Sequence, residues 1–452
     1  MKITFLGGTG TVTGSKYLVQ SDRAQVLVDC GLFQGLKALR LRNWRDFPVE
    51  PSSLDAIVLT HAHIDHSGYV PVLVKRGFKG PVFCTPGTKG LCKILLPDSG
   101  HLQEEEARYA NRKGFSRHKP ALPLYTKEDA QDALHSFKKR EFGTGFQVAP
   151  GISCRFEPAG HILGAASVRL TGGGRTIVFS GDLGRPDDPV LKPPRPLGTC
   201  DYVVVESTYG NRRHRALDPA GALEEVTLRT WNRGGTLLVP SFAVGRAQTL
   251  LHLIAQLKHD GRIPDHPVFL DSPMTIDATE LYSALRKEHR LTDGQSTAMC
   301  QAARFLPSPD DSKSLNAMRG PMLIVSASGM ATGGRILHHL KRLAPDSDNT
   351  ILFVGFQAAG TRGESIVNGA DEVKIHGKYV PVRAEVAQLD VLSAHADYTE
   401  LIDWLRATPT PPHRVFVTHG EPAAADSMRR RIVDELGWRT EVPEHGQTIE
   451  LD

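Results

Sequence analysis

The 452-residue chain has only six cysteines, and Cys30, Cys84, Cys92, Cys154, Cys200 and Cys300 form no CxxC pair. Neither a disulfide framework nor a thiolate zinc site is expected, and a reducing cytoplasm is the expected compartment. No apolar run approaches the ~18 residues that span a bilayer, so no membrane partner is expected. The opening MKITFLGGTG carries one lysine and a short apolar stretch. That is too little for a signal peptide and reads better as a first strand. An excess of one charge is nearly absent: 54 Lys+Arg stand against 50 Asp+Glu, a net +4. So small a surplus identifies no polyanionic partner by itself. Internal repeats and low-complexity segments are missing, which excludes solenoid, collagen-like and disordered chains. With 40% hydrophobic and 23% charged residues the composition is globular, and the length predicts about two or three domains.

Short apolar strands are expected over 2–6, 16–20, 25–29, 56–60, 81–84, 152–156, 167–170 and 175–180, ending in turns rich in Gly, Ser, Thr, His and Asp. Helices are expected over 68–76, 88–112 and 127–140. From about residue 201 the texture changes. DYVVVESTYG, GTLLVPSFAVGR, HPVFLDSPM, GPMLIVSASGM and NTILFVGFQ read as strands, with helical patterns at 245–258, 276–289 and 333–343. That alternation predicts a parallel α/β sheet. The polar segment 291–320 reads as a mobile loop. Helices are expected again at 398–406 and 422–436, with RVFVTHG between them and a short strand at the end.

The strongest signal is Thr60-His61-Ala62-His63-Ile64-Asp65-His66-Ser67-Gly68, directly after the apolar AIVL. Imidazole and carboxylate both suit zinc. Residues i and i+2 on an extended stretch point the same way, so His61 and His63 can share one metal. Asp65 and His66, at the bend that follows, can face a second. Taken singly, Asp29 in VLVDCG, His161 in AGHILGA and Asp182 in TIVFSGDLG read as ordinary turn or loop residues.

HxHxDH, with Asp29, His161 and Asp182 in that order, resembles the metallo-β-lactamase superfamily. VVVESTYGN, SAHAD and VTHGE, with Glu206, His395 and His419 at the signature positions, resemble the β-CASP nucleases, the branch that includes the cleavage-and-polyadenylation endonuclease. PSFAVGRAQ, DSPM, SASGMATGGR, GFQAAGTRG, GTVTGSKYLV and ANRKGFSRHKPALPLYT are similar to that family too, so the likeness covers essentially the whole chain.

The resemblance implies a metallo-β-lactamase αβ/βα sandwich with an inserted parallel-sheet α/β domain. The first part would span 1–208, the inserted β-CASP domain 209–384 and the final part 385–452, with substrate entering a cleft between the domains. It implies two Zn2+ ions, one on His61, His63 and His161, the other on Asp65, His66 and His419, with Asp182 bridging. Asp29 would support the loop without touching metal. His395 would protonate a leaving 3′ oxygen and Glu206 would hold it by charge pairing, while Asp65 and Asp182 complete the catalytic set. Ser326, Ser328, Arg335 and Arg362, in Gly-rich turns suited to phosphate, would line an RNA-backbone groove. Arg108, Arg112, Lys113, Arg117 and Lys119 form either a flank of the cleft or an ordinary solvated helix face. The implied activity is cleavage of single-stranded RNA, internal or 5′→3′, leaving 3′-hydroxyl and 5′-phosphate ends. DNA is less expected, because His419 keeps the histidine from which DNA-repair relatives depart. Two readings compete: hydrolysis of a small thioester or lactam, and a non-catalytic RNA-binding scaffold. No separate RNA-binding domain is visible.

Overall fold

The computed structural model describes residues 1–114, 116–214, 218–355, 357, 360–389 and 392–452. The chain divides into two compact units. One comprises Met1–Asp188, Lys192–Arg213 and His395–Asp452; the other comprises Pro189–Leu191 and His214–Ala394. Phe356, Ala358 and Ala359 of the GFQAAGTRG stretch lie outside the described residues, as do Asp390 and Val391 before SAHAD.

The first unit holds two seven-stranded sheets. One runs in the order Thr448–Glu450, Lys2–Phe5, Tyr17–Gln20, Gln25–Val28, Ala56–Val58, Val82–Cys84 and Phe137–Lys139. The other runs Thr440–Glu441, Arg414–Val417, Tyr202–Val205, Arg175–Phe179, Ala166–Gly172, Ile152–Pro158 and Phe146–Ala149. Alternate residues of the two sheets meet in one core, with Ile3, Phe5, Val26 and Val58 from the first sheet and Phe156, Val168, Phe179 and Phe416 from the second. Side chains alternate faces along a strand. The other faces therefore take helices, such as Pro86–Lys113, started by Thr85 accepting from the Thr88 N–H and stopped by Gly114 at φ 67°.

The second unit is built on a six-stranded, all-parallel sheet ordered Arg304–Phe305, Val268–Leu270, Met322–Ser326, Thr236–Pro240, Thr350–Val354 and Glu385–Leu389. Its four inner strands are buried along their whole length and nearly continuously apolar, as expected for strands covered on both faces, while the two edge strands are partly exposed. A separate hairpin pairs Glu372–Ile375 with Lys378–Pro381. Its two-residue turn, His376-Gly377, takes φ 48° and 81°, the positive pair a tight hairpin turn demands.

Several expectations need correction. The helix expected over 127–140 stops early, as Lys127–Ala133 and a short 3-10 turn. Phe137–Lys139 is instead a strand on Val82–Cys84. Ala130, Ala133 and Phe137 mimic a helical stripe, but strand pairing overrides that spacing. The helix expected over 276–289 runs Pro273–Ala284, and the one expected over 68–76 is Val70–Lys75, preceded by a separate short turn of helix, Ile64–Ser67. The segment 291–320 is ordered structure. Capping boxes Thr292/Gln295 and Ser308/Asp311 start the helices Asp293–Gln301 and Pro309–Ser314, as this motif does in polar sequence. Helix Pro219–Asn232 and strand Phe146–Ala149 have no counterpart among the expected elements. Glu385–Leu389 belongs to the six-stranded sheet, so the chain re-enters the first unit at His395 and not at 385.

Candidate metal centre

Parallel strands set the site. Gln25–Val28 lies parallel to Ala56–Val58, and Arg175–Phe179, Tyr202–Val205 and Arg414–Val417 lie parallel to one another. Their apolar bodies fix them in the core, and the chain turns polar just past their C-terminal ends. There stand Asp29, His61 to His66, Asp182, Glu206 and His419. Carboxyl ends of parallel strands are where α/β sheets collect ligand-binding groups. Asp29 and His419 both take left-handed backbone, at φ 57° and 47°, which turns each side chain off its strand. Asp and His are among the side chains most often found there.

Two groups of donors result. In the first, His61 Nε2 and His161 Nε2 each lie 3.1 Å from His63 Nδ1. In the second, His66 Nε2 is 3.1 Å from His419 Nε2, which is 3.3 Å from Asp65 Oδ2. Asp182 stands between them. Its Oδ2 is 3.5 Å from His61 and 3.6 Å from His161, and its Oδ1 is 3.3 Å from His66. That Oδ1 is buried and satisfies no hydrogen bond among the described residues.

A second layer orients the donors. The Thr60 N–H and hydroxyl donate to Asp29 Oδ1 at 2.8 and 3.0 Å. The other Asp29 oxygen meets His66 Nδ1 at 2.8 Å. Thr60 Oγ1 is also 3.1 Å from His61 Nδ1, and Thr208 Oγ1 is 3.1 Å from His419 Nδ1. These contacts leave the Nε2 atoms of His61, His66 and His419 to face inward, as a partner on the far nitrogen does in metal sites. Thr60 and Thr208 carry no mark of this role in the sequence. Both adjoin signature residues, but nothing in a threonine beside a motif identifies it as an orienting group.

Burial lowers the pKa of His61 and neighbouring imidazoles lower it further, while burial takes His63 down to about 4. Both rings therefore keep a neutral nitrogen lone pair. Burial opposes charge on Asp182 as well, yet His419, His66 and His61 hold its carboxyl well below the usual range. Burial likewise opposes charge on His66, but Asp182, Asp29 and Asp65 raise its pKa. Buried imidazoles and carboxylates this close are ligand types that suit a metal cation. Four ligands placed tetrahedrally at ~2.0–2.1 Å from zinc lie ~3.3 Å apart, which matches the separations observed. The donor set of His and Asp thus fits a metal, and each of the two groups could hold one.

Beside the first group, His395 Nδ1 lies 3.2 Å from Glu206 Oε2 and 4.0 Å from Asp182 Oδ2. Glu206 is buried and is itself fixed by the Leu183 N–H. Nε2 of His395 is the ring atom turned away from Glu206. The four expected RNA-groove residues lie in the other unit. Ser326 is 1% exposed and donates to the Asp271 carbonyl. Arg335 is spent on Asp271 Oδ1 at 2.7 Å and on the Leu306 carbonyl. Ser326 thus turns inward, while Arg335 is half-buried and held by these partners. Ser328 bonds the Thr332 N–H, and Arg362 donates to the Lys374 and Thr332 carbonyls.

Comparison with known proteins identifies the family. Residues 9–89 match the family model "Metallo-beta-lactamase superfamily", 247–366 match "Beta-Casp domain", and 379–443 match "Zn-dependent metallo-hydrolase RNA specificity domain". The chain is 37% identical over 428 residues to Ribonuclease TTHA0252 of Thermus thermophilus, covering 93% of each chain. It is 31% identical to Transcription termination factor FttA of Methanocaldococcus jannaschii, covering 95% of this chain and 69% of that one. A solved protein of unknown function from Enterococcus faecalis V583 shares the fold, at TM-score 0.55 and 15% identity over 99% of both chains. The chain belongs to the β-CASP family of the metallo-β-lactamase superfamily.

Proposed function

We propose that the protein is a metal-dependent ribonuclease that holds two zinc ions and hydrolyses single-stranded RNA to 3′-hydroxyl and 5′-phosphate ends. The observation that carries the reading is Asp182, with one oxygen toward each histidine group. His61, His63 and His161 would hold one ion, and Asp65, His66 and His419 the other, with Asp182 shared. Zinc so held supplies Lewis-acid neutralisation of phosphoryl charge and lowers the pKa of water. Asp29 and Thr60 keep His66 and His61 in the donor orientation. Glu206 pins His395 Nδ1, which leaves Nε2 to deliver a proton to the departing 3′ oxygen, a task imidazole suits near neutral pH. The ribonuclease and termination-factor relatives and the RNA-specificity match support RNA as substrate. The pairing of half-buried His395 with buried Glu206 supports a catalytic protein over a scaffold, since a site kept only for stability has no use for it. Ser328 and Arg362 remain the candidates for backbone contact in the second unit.

The test is cleavage of one single-stranded RNA labelled at either end, beside DNA of the same sequence, with zinc and with chelator. Chelator-sensitive cutting of RNA alone is expected. Equal cutting of DNA would overturn the RNA preference, and cutting that survives thorough chelation would overturn the metal mechanism.

A further inference from the structure

The first unit contains a cavity of about 190 Å³ whose lining includes none of the metal-centre donors. Lys16, Arg42, Arg45 and His445 line it, together with Phe33 and Tyr69. Lys16 is 4% exposed. Its ammonium donates to the Gly14 carbonyl at 3.3 Å and lies 4.5 and 4.9 Å from the Phe33 and Tyr69 ring centres. Arg42 packs on the same Phe33 ring at 5.4 Å, and His445 meets its edge at 6.2 Å. Asp46 is the carboxylate of the wall, yet none of these cations forms an ion pair within 4.0 Å among the described residues.

Of these cations Lys16 alone is buried, and a buried ammonium without a counter-charge is costly, cation–π contacts returning only part of that cost. Burial pulls the Lys16 pKa down to about 8. His445 is lowered too, by burial and then by Arg42, Lys16 and Arg45, so the cations act on one another across this space. The wall is built rather than incidental. Asn43 is buried, accepts from the Phe33 N–H at 2.9 Å and donates to the Phe33 carbonyl at 2.8 Å. That clasp holds the arginine-bearing segment 41–45 against the ring. Buried Lys16 stands inside the hollow while half-buried Arg42 and exposed Arg45 and His445 stand at its mouth, so the group attracts negative charge, and the planar fork of arginine matches phosphate oxygens.

We propose that Lys16, Arg42, Arg45 and His445 form a phosphate-binding pocket separate from the metal centre. The phosphate is either free or one carried by the RNA backbone away from the scissile bond. The pocket itself does not depend on the nuclease reading, because phosphate uptake is read without turnover. The experiment titrates inorganic phosphate into the zinc-loaded protein by calorimetry and compares R42Q/R45Q and, separately, K16M, whose apolar replacement keeps the volume of the buried side chain. Circular dichroism and zinc content check that both variants fold. Wild type is expected to show a saturable phosphate site that each variant weakens at least tenfold. If both variants bind phosphate as wild type does, or if wild type shows no saturable site, the proposal fails. Steady-state cleavage of RNA then separates the sources. A raised KM in R42Q/R45Q alongside lost phosphate binding assigns the pocket to the RNA backbone. An unaltered KM with lost phosphate binding assigns it to free phosphate.

Discussion

Glu206 does one job that its burial makes possible: it fixes His395 from the Nδ1 side at 3.2 Å while standing clear of the histidine donor groups around His61 and His63. His395 is therefore expected to act in proton transfer rather than in metal retention. His395→Ala should keep full zinc content by mass spectrometry and lose about 10²–10⁴-fold in kcat. Turnover like wild type, or loss of zinc, would remove it from that role. Asp29 is the converse case, since it touches His66 and no substrate position. In Asp29→Asn an amide cannot both accept from the Thr60 N–H and hydroxyl and accept a proton from His66. Zinc affinity, measured against a competing chelator, should fall about 10–100-fold; an unchanged affinity would contradict the orienting role. The donors of HxHxDH are legible in the sequence because they crowd within a few positions after an apolar strand, whereas Glu206, His395 and Asp29 are legible only through the family likeness of the segments that carry them. Thr60 and Thr208 are not, because their role exists only once distant strands bring Asp29 and His419 beside them.

At the scale of elements, the second unit shows how a buried charge can fasten loops. Asp271 follows the strand Val268–Leu270 and is fully buried. It accepts from Arg335 at 2.7 Å, His339 at 2.6 Å and Ser312 at 2.5 Å. Two separate segments, the helix Pro309–Ser314 and the helix Ile336–Leu343 with its N-cap Arg335, thus meet on one carboxylate. Burial pushes its pKa up, but the bonds from His339, Ser312 and Arg335 outweigh that and hold it low. A carboxyl lowered on folding adds stability above its unfolded value of about 3.9, and that contribution is lost as pH falls through the lower folded value. Asp271→Asn should cost roughly 1–3 kcal/mol at neutral pH in urea unfolding. The gap to wild type should narrow below about pH 4. A gap constant with pH would show that the charge is not what ties these loops. Arg335 reads as a phosphate ligand in the sequence because a glycine-rich turn before a helix looks the same whether its arginine faces a ligand or an internal aspartate. The strand Phe137–Lys139 is hidden for a related reason: only its partner Val82–Cys84, far off in sequence, distinguishes it from a helix end.

Over the whole chain, the legible part is the alternation of short strands in the first unit and of strands with helices in the second. That periodicity reflects which faces are buried, and burial is written locally. Sheet order is not local. The pairing of Lys2–Phe5 with Thr448–Glu450 and the return of Arg414–Val417 beside Tyr202–Val205 are what bring His419 to His66, and no local pattern states them. The two-metal reading depends on that return, since it completes the second donor group around Asp182. The direct test is to count zinc per chain and measure RNA cleavage on the same samples of wild type and Asp182→Asn. Wild type should hold two zinc ions, with cleavage abolished by chelator and restored by zinc, and the variant should lose both metal and cleavage. A single zinc with full cleavage, or cleavage undiminished in Asp182→Asn, would contradict the shared role of Asp182.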